Sequence, residues 1–274
     1  LSLVGAGPVV ASALDVFAHA ASPRGKPAFG IESVEVDGKT VVVKEEIAAR
    51  KAFGQLKHFV KEGVEGQPRL LIVAPMSGHF ATLLRGTVER MLPGHDVYIT
   101  DWRDAKNVPV EAGSFDLDDY IDHVRDMLGF LGAGAHVLAV CQPGPPVLAA
   151  ISLMSEDRDP NVPSSMTFMG SPIDCRKSPT VPNQLAETRE FEWFKDNMIY
   201  TVPFPYPGAM RRVYPGFVQL ASFMNMNWER HVDAQWNFFE HLVGDDGDSA
   251  QKHREFYDEY LSVLDLSAEF YLDT

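Results

Sequence analysis

HVLAVCQPGPPVLAAISLM, residues 136–154, decides how the rest of the chain is read. His136 to Val140 is a short continuous apolar run, the pattern of a strand buried on both faces of a parallel sheet. Pro143 to Met154 follows as a helix whose first turn accepts proline, because the N–H that proline lacks has no helical partner there. Cys141 stands at the joint. A strand that turns sharply into a helix lifts the side chain at the turn above the sheet edge, where a nucleophile is needed. The usual G-x-S-x-G form keeps the positions two before and two after the nucleophile small. No such motif occurs, and Ala139 and Pro143 hold those places. The Gln142 N–H is left as one oxyanion donor, and a helix N-terminus favours the negative charge of a thiolate. Against this stands the plainer reading of a small buried residue, since unpaired cysteines are among the most buried residue types.

Working outward, Arg69–Ala74 and His95–Trp102 read as two more buried strands, with a helix over Phe80–Leu92 between them. Asp116 caps a helix in which Leu117, Tyr120, Ile121, Val124 and Leu128 recur at helical spacing. A further strand lies within Ser165–Ile173. Strands alternating with helices imply a mostly parallel sheet with helices on both faces. The loop Pro75–His79 after RLLIVA then supplies the second oxyanion donor, from Met76 or Ser77. Upstream, IESVEVDGKTVVVKEE alternates around Asp37–Gly38 as a hairpin. The expected organisation is an N-terminal helical segment over 1–29, an α/β core over 30–175, and a helical cap over 176–274 with no strand after it. FAHAAS resembles a targeting cleavage site, but Asp15 and the lack of a basic start favour a peripheral helix.

The net charge of −14 argues against a nucleic-acid or anionic-membrane partner. Two cysteines, Cys141 and Cys175, are too few for a disulfide framework and suit a reducing compartment. Residues 127–155 carry no Asp, Glu, Lys or Arg, yet Gly132, Gly134 and four further Gly and Pro residues at 143–146 break the run, so no transmembrane segment is expected. There is no P-loop, no G-x-G-x-x-G after a strand, no H-E-x-x-H and no paired C-x-x-C. GDDGDS at 244–249 lacks the spacing of a calcium loop and reads as a solvated turn. Neither metal nor cofactor is expected.

Several stretches now combine: VCQP around Cys141, APMSGHFATLLRGTV, VYITDWRDAKNVP, FDLDDYIDHV, MGSPIDCRKSPT and FEWFKDNMIYTVP. With these the chain resembles the intracellular polyhydroxybutyrate depolymerases over most of its length. The resemblance implies an α/β-hydrolase fold, a cysteine nucleophile at Cys141, and hydrolysis of ester bonds in cytoplasmic polyhydroxybutyrate granules through a thioester. It is also distantly similar to the polyhydroxyalkanoate synthases, so an acyltransferase, or a granule-binding chain without activity, are the alternatives. The family has Ser or Thr and an apolar residue after CQP; Gly144–Pro145 stands there instead. The family's catalytic Asp and His lie on loops after later strands, which places them beyond Thr274, with part of the sheet. Among the residues present, Asp174 is a weak candidate acid, His79 and His136 are weak candidate bases, and Asp101 reads as a structural hydrogen-bonding residue. His231, His241 and His253 read as surface residues of the cap. Trp193, Phe194, Tyr206, Phe217 and Trp236 read for the most part as cap core, with an apolar substrate cleft as their other use.

Overall fold

The computed structural model describes residues 7–22, 24–177 and 179–274. The chain forms two compact units: Ala28–Gly216 with Leu264–Thr274, and Leu1–Pro27 with Phe217–Val263. The expected boundaries at 29 and 175 therefore differ from the observed ones. The first helix, α1 (Gly7–Ala21), joins residues far along the chain, and the region up to Gly216 stays with the sheet.

The first unit is built on a sheet. β1 (Ser33–Val36) and β2 (Lys39–Arg50) form the expected hairpin, with Asp37 at φ 50° and Gly38 at φ 76°. Positive φ at both turn positions gives the twist that matches paired strands. β3 (Gly54–Lys61), β4 (Arg69–Val73), β5 (Asp96–Trp102), β6 (His136–Val140) and β7 (Ser165–Met169) complete it. Among the described residues the seven strands run in the order β1-β2-β3-β5-β4-β6-β7. The β5-β4-β6-β7 half is parallel and the β1-β2-β3-β5 half antiparallel. β7 ends the order, and Met166 and Met169 are exposed on it.

Alternation along each strand sends side chains to both faces. Leu70 and Ile72 of β4 join Val97 and Ile99 of β5, and Val88 and Leu92 at and beside α2 (Arg85–Met91), in one buried cluster. Leu71 and Val73 point the other way and are also fully buried. There α3 (Leu117–Leu131) lies against β4, and α4 (Gly144–Glu156) against β6 and α3. Asp116 and Asp119 cap α3 reciprocally, side chain to backbone in both directions. The expected helix over 80–92 begins as a 3-10 turn, Ala81–Leu84, before α2.

After β7 come α5 (Val181–Thr188), α6 (Phe191–Asn197), β8 (Tyr200–Thr201) and β9 (Arg212–Tyr214). With β10 (Leu266–Ser267) they make a small antiparallel sheet, β10-β9-β8. This corrects the expectation that no strand follows Asp174. Strands of two or three residues are too short for an alternating pattern to be read from sequence. The terminal helix Ala268–Asp273 packs against α3 and β9, with Tyr271 stacked on Tyr214 at 3.9 Å.

The second unit is helical. α1 packs on α8 (Trp228–Val243), which packs on α9 (Gly247–Tyr260); α7 (Gly216–Met226) precedes them. Its centre is the buried Phe238 ring, stacked on His253 at 4.3 Å and met edge-on by His19 at 5.6 Å. His231, expected at the surface, is buried, with Nδ1 2.9 Å from the Tyr257 hydroxyl. Conversely, Phe217 and Trp236, expected as core, are mostly exposed, while Trp193 and Phe194 are half-buried against each other. No helix among the described residues is long and apolar enough to cross a membrane.

Candidate functional site

Because β4, β5, β6 and β7 are parallel, their carboxyl ends share one edge of the sheet, where sites on open α/β sheets form. Cys141 is the first residue after β6. Its φ is 67°, the left-handed region that a residue with a side chain adopts only under constraint. Two hydrogen bonds supply that constraint. The Cys141 N–H donates to Met169 O at 2.8 Å, and the Gly144 N–H donates to Cys141 O at 3.2 Å. The cysteine is exposed, and its Sγ has no hydrogen-bond partner among the described residues. It is not the small buried residue of the plainer reading.

Pro143 is the cap of α4, not a residue of its first turn, and Pro145 lies in that turn instead. Gly144 explains the departure after CQP. A Cβ built there would lie 2.3 Å from Ser171 Cβ, so only glycine lets the start of α4 approach the segment after β7. The small residue sits three places after Cys141 rather than two. That close approach is invisible without the structure, although the glycine itself is legible.

The loop after β4 is fixed at its base. The Ala74 N–H donates to Thr100 Oγ1 at 2.8 Å, and Trp102 Nε1–H donates to Ala74 O at 2.9 Å. Farther along, Gly78 at φ 100° accepts the Leu264 N–H at 2.7 Å. Met76 is 1% exposed, and its N–H donates to the side-chain oxygen of Gln142 at 3.2 Å. This bond brings the loop and the Cys141 turn together, as the sequence reading of Met76, Ser77, Cys141 and Gln142 requires. It also separates the two loop candidates. The Met76 N–H is occupied, whereas the N–H groups of Ser77 and Gln142 have no partner among the described residues. The role of the Gln142 side chain carries no sequence signal.

The weak candidates fall elsewhere. His136 opens β6, at the opposite edge from Cys141, and bonds Ser165 Oγ at 2.8 Å. His79 is buried on the 75–80 loop. Asp174 pairs with Arg176 at 2.8 Å, and that guanidinium holds its carboxyl below the usual carboxylate range. Asp101 is buried and accepts from Gln55 at 2.7 Å, the structural part expected of it. Asp246 caps α9, so GDDGDS is a helix start. Among the described residues no group of three or more His, Cys, Asp or Glu is placed to hold a metal ion.

Residues 170–274 match the family model described as PHB de-polymerase C-terminus. Over this stretch the chain is similar to the PHB depolymerases. The match begins at Gly170, directly after β7 and 29 residues past the candidate nucleophile (170 − 141). Comparison with curated proteins finds no match. Among solved structures, the naproxen esterase of Bacillus subtilis aligns at 18% identity and TM-score 0.34, over 61% of this chain and 49% of its own. Carboxylesterase CesB of Bacillus subtilis aligns at 13% and 0.37, over 70% and 60%. A bacterial brefeldin A esterase aligns at 16% and 0.36, over 67% and 53%. The aligned part thus spans about half to three-fifths of the length of these relatives. The assignment of the fold rests on the parallel half-sheet, the helices on both faces and the strand–Cys141–helix turn described above.

Proposed function

We propose that this chain carries the nucleophile and oxyanion donors of a carboxylic ester hydrolase acting on poly(3-hydroxybutyrate). The observation that supports this most is Cys141: exposed, held left-handed at the carboxyl end of β6, and followed by the Gln142 N–H, which has no partner among the described residues. The family match at 170–274 supports the choice of polyester among esters. In this reading the Cys141 thiolate attacks the ester carbonyl carbon, and the carbonyl π pair moves onto oxygen. The N–H groups of Gln142 and Ser77 receive that oxyanion. Collapse re-forms the carbonyl, expels the 3-hydroxyl oxygen, which takes up a proton, and leaves a thioester on Sγ. Water then adds to the thioester, releasing the acid and the thiol. Both halves need a general base. General-base catalysis is worth about 10²–10⁴-fold, so turnover is set by access to that base. The site of action is the polyester granule, and no cofactor enters the scheme.

Brief labelling with iodoacetamide followed by peptide mapping tests the nucleophile, since thiolate character and access govern the rate. Cys141 is expected to react well ahead of Cys175, which is also exposed. Intact-mass analysis after incubation with an activated 3-hydroxybutyrate ester should show one acyl group, lost in Cys141→Ala. Equal labelling of the two thiols together with no acyl adduct would sink the reading.

A further inference from the structure

The segment between β8 and β9, VPFPYPGAMR at 202–211, exposes large apolar side chains on a backbone that is firmly held. Phe204 is 88% and Met210 76% exposed, with Tyr206 beside them at 45%. The Val202 N–H donates to Arg211 O and the Met210 N–H to Val202 O, both at 2.9 Å, which closes the loop on itself. Its base is fixed twice more. Gly208 donates to Lys106 O at 2.8 Å, and a Cβ there would meet the carbonyl oxygens of Lys106, Val108 and Ala105 within 2.9 Å. The buried Arg211 guanidinium donates to Val108 O at 2.9 Å, Gly113 O at 2.8 Å and Pro109 O at 2.5 Å.

Residues 105–113 follow the carboxyl end of β5, which runs parallel to β6 through β4. The loop therefore stands on the same edge as Cys141. Met210 also holds φ 73°, a conformation that asparagine or glycine would adopt at lower cost. A strained methionine that packs against little, beside an almost bare phenylalanine, is not explained by folding. Exposed apolar groups clustered in this way mark contact with something apolar.

We propose that Phe204, Tyr206 and Met210 are the contact by which the protein adsorbs to the surface of a water-insoluble aliphatic polyester. This rests on the hydrolase reading for the choice of polymer. Residues 202–210 carry no charged side chain, and Lys106, 5.8 Å from the Tyr206 ring, is ion-paired with Asp104 at 2.8 Å. An uncharged tip on a chain of net charge −14 suits a neutral ester surface and disfavours an anionic bilayer. Adsorption at the edge that holds Cys141 presents the polymer to the thiol.

The test is co-sedimentation with amorphous poly(3-hydroxybutyrate) particles, done in a Cys141→Ala background so that chemistry plays no part. Phe204→Ser with Met210→Asn is expected to weaken adsorption about tenfold or more, the effect of losing one or two buried apolar contacts. Met210→Asn alone should weaken adsorption while raising the melting temperature, because asparagine tolerates the left-handed backbone. Full adsorption by the double variant would overturn the proposal, as would loss that only tracks a fall in melting temperature. Binding to phosphatidylglycerol vesicles or to a second copy of the chain, abolished by the same changes with none to the polyester, would overturn it too. If particles are bound through this loop but no acyl adduct ever forms on Cys141, the adsorption proposal stands and the hydrolase reading fails.

Discussion

In the sheet unit, Leu70, Ile72, Val97, Ile99, Val88 and Leu92 share one cluster of aliphatic side chains, and the backbone at Gly144 and Gly208 closely meets the Ser171 side chain and the carbonyls of 105–108 respectively. In the helical unit the corresponding place is taken by rings, with Phe238 between His19 and His253 and Tyr257 stacked on His253 at 4.4 Å. The aliphatic cluster itself has nothing to titrate, and Gly144 and Gly208 leave no room for a side chain. The ring-built core is polar at its centre, tolerant of backbone change, and sensitive to protons. Close approach of the Gly144 backbone to the Ser171 side chain helps hold the nucleophile turn in a strained shape; a stack of rings on helices supplies no such clamp.

Glycine substitutions expose this difference most strongly. Gly144→Ala forces a methyl group to within 2.3 Å of Ser171 Cβ. Overpacking of this kind costs about 1–3 kcal/mol, and here relief comes from shifting the start of α4, which carries the Cys141 turn with it. The urea midpoint should fall and the alkylation rate of Cys141 should change together. In the helical unit, Gly247 opens α9 with nothing within 4 Å of a built Cβ. Gly247→Ala should therefore be neutral or raise stability by up to about 1 kcal/mol through helix propensity. Equal losses at the two glycines would break the contrast.

The same difference explains what was legible in the sequence. The strands 69–73, 96–102 and 136–140 announce themselves because a strand buried on both faces is a continuous apolar run, whereas 165–169 is mostly exposed and is read from its place after α4. Their mostly parallel run and the edge that carries Cys141 follow from βαβ connection rules, whereas their order in the sheet is seen only in the structure. Asp37–Gly38 and Asp116 are legible because turn and cap chemistry is local. What stays hidden is tertiary. The union of α1 with residues beyond Phe217 joins segments that carry no mutual signal, so the boundaries at 29 and 175 differ from those observed. His231 reads as a surface residue since nothing in the sequence shows that the Tyr257 hydroxyl lies beside it. At the site, Met76 and Ser77 are equivalent by spacing, and only the bond from the Met76 N–H to the Gln142 side chain distinguishes them.

Acid should act on the ring-built core. The pKa of His253 is pushed down to about 4, because burial disfavours the imidazolium and His19, His241 and Arg254 add like charge. As pH falls below the ordinary histidine value of about 6.5, the unfolded chain takes up this proton first. The stability held by neutral His253 is complete above that pH and is lost progressively as pH drops from about 6.5 toward 4. The ring is partly open to solvent, so the effect is on the order of 1 kcal/mol. His253→Phe keeps the stack on Phe238 and removes the titration, so the slope of stability against pH over this window should flatten. Some slope remains in either case, since burial and Lys51 lower the pKa of His123 in the sheet unit as well. Chemical denaturation at a series of pH values measures it. An unchanged slope would mean that the stack does not govern the acid response.

The smallest effect expected concerns two tyrosine hydroxyls of opposite circumstance. Tyr257 in the helical unit has its oxygen 2.9 Å from His231 Nδ1, a satisfied pair. Tyr120 on α3 is fully buried, stacked on Trp102 at 4.5 Å and on Phe270 at 5.2 Å, and its hydroxyl has no hydrogen-bond partner among the described residues. Burial also pushes the Tyr120 phenol well above its ordinary pKa, so the group stays neutral and offers a proton to nothing. Desolvating a hydroxyl without replacing its bonds to water is unfavourable, whereas removing a bonded one strands its partner. Tyr120→Phe should then raise stability by up to about 1 kcal/mol, with the ring stack intact. Tyr257→Phe should lower it by about the same amount, since His231 Nδ1 is left unpaired in a buried place. Urea midpoints of the two variants, at a pH above the histidine range, should move in opposite directions. Loss of stability in both would show that Tyr120 is satisfied by an ordered water, and the sheet unit's core would then be polar at this one point as well.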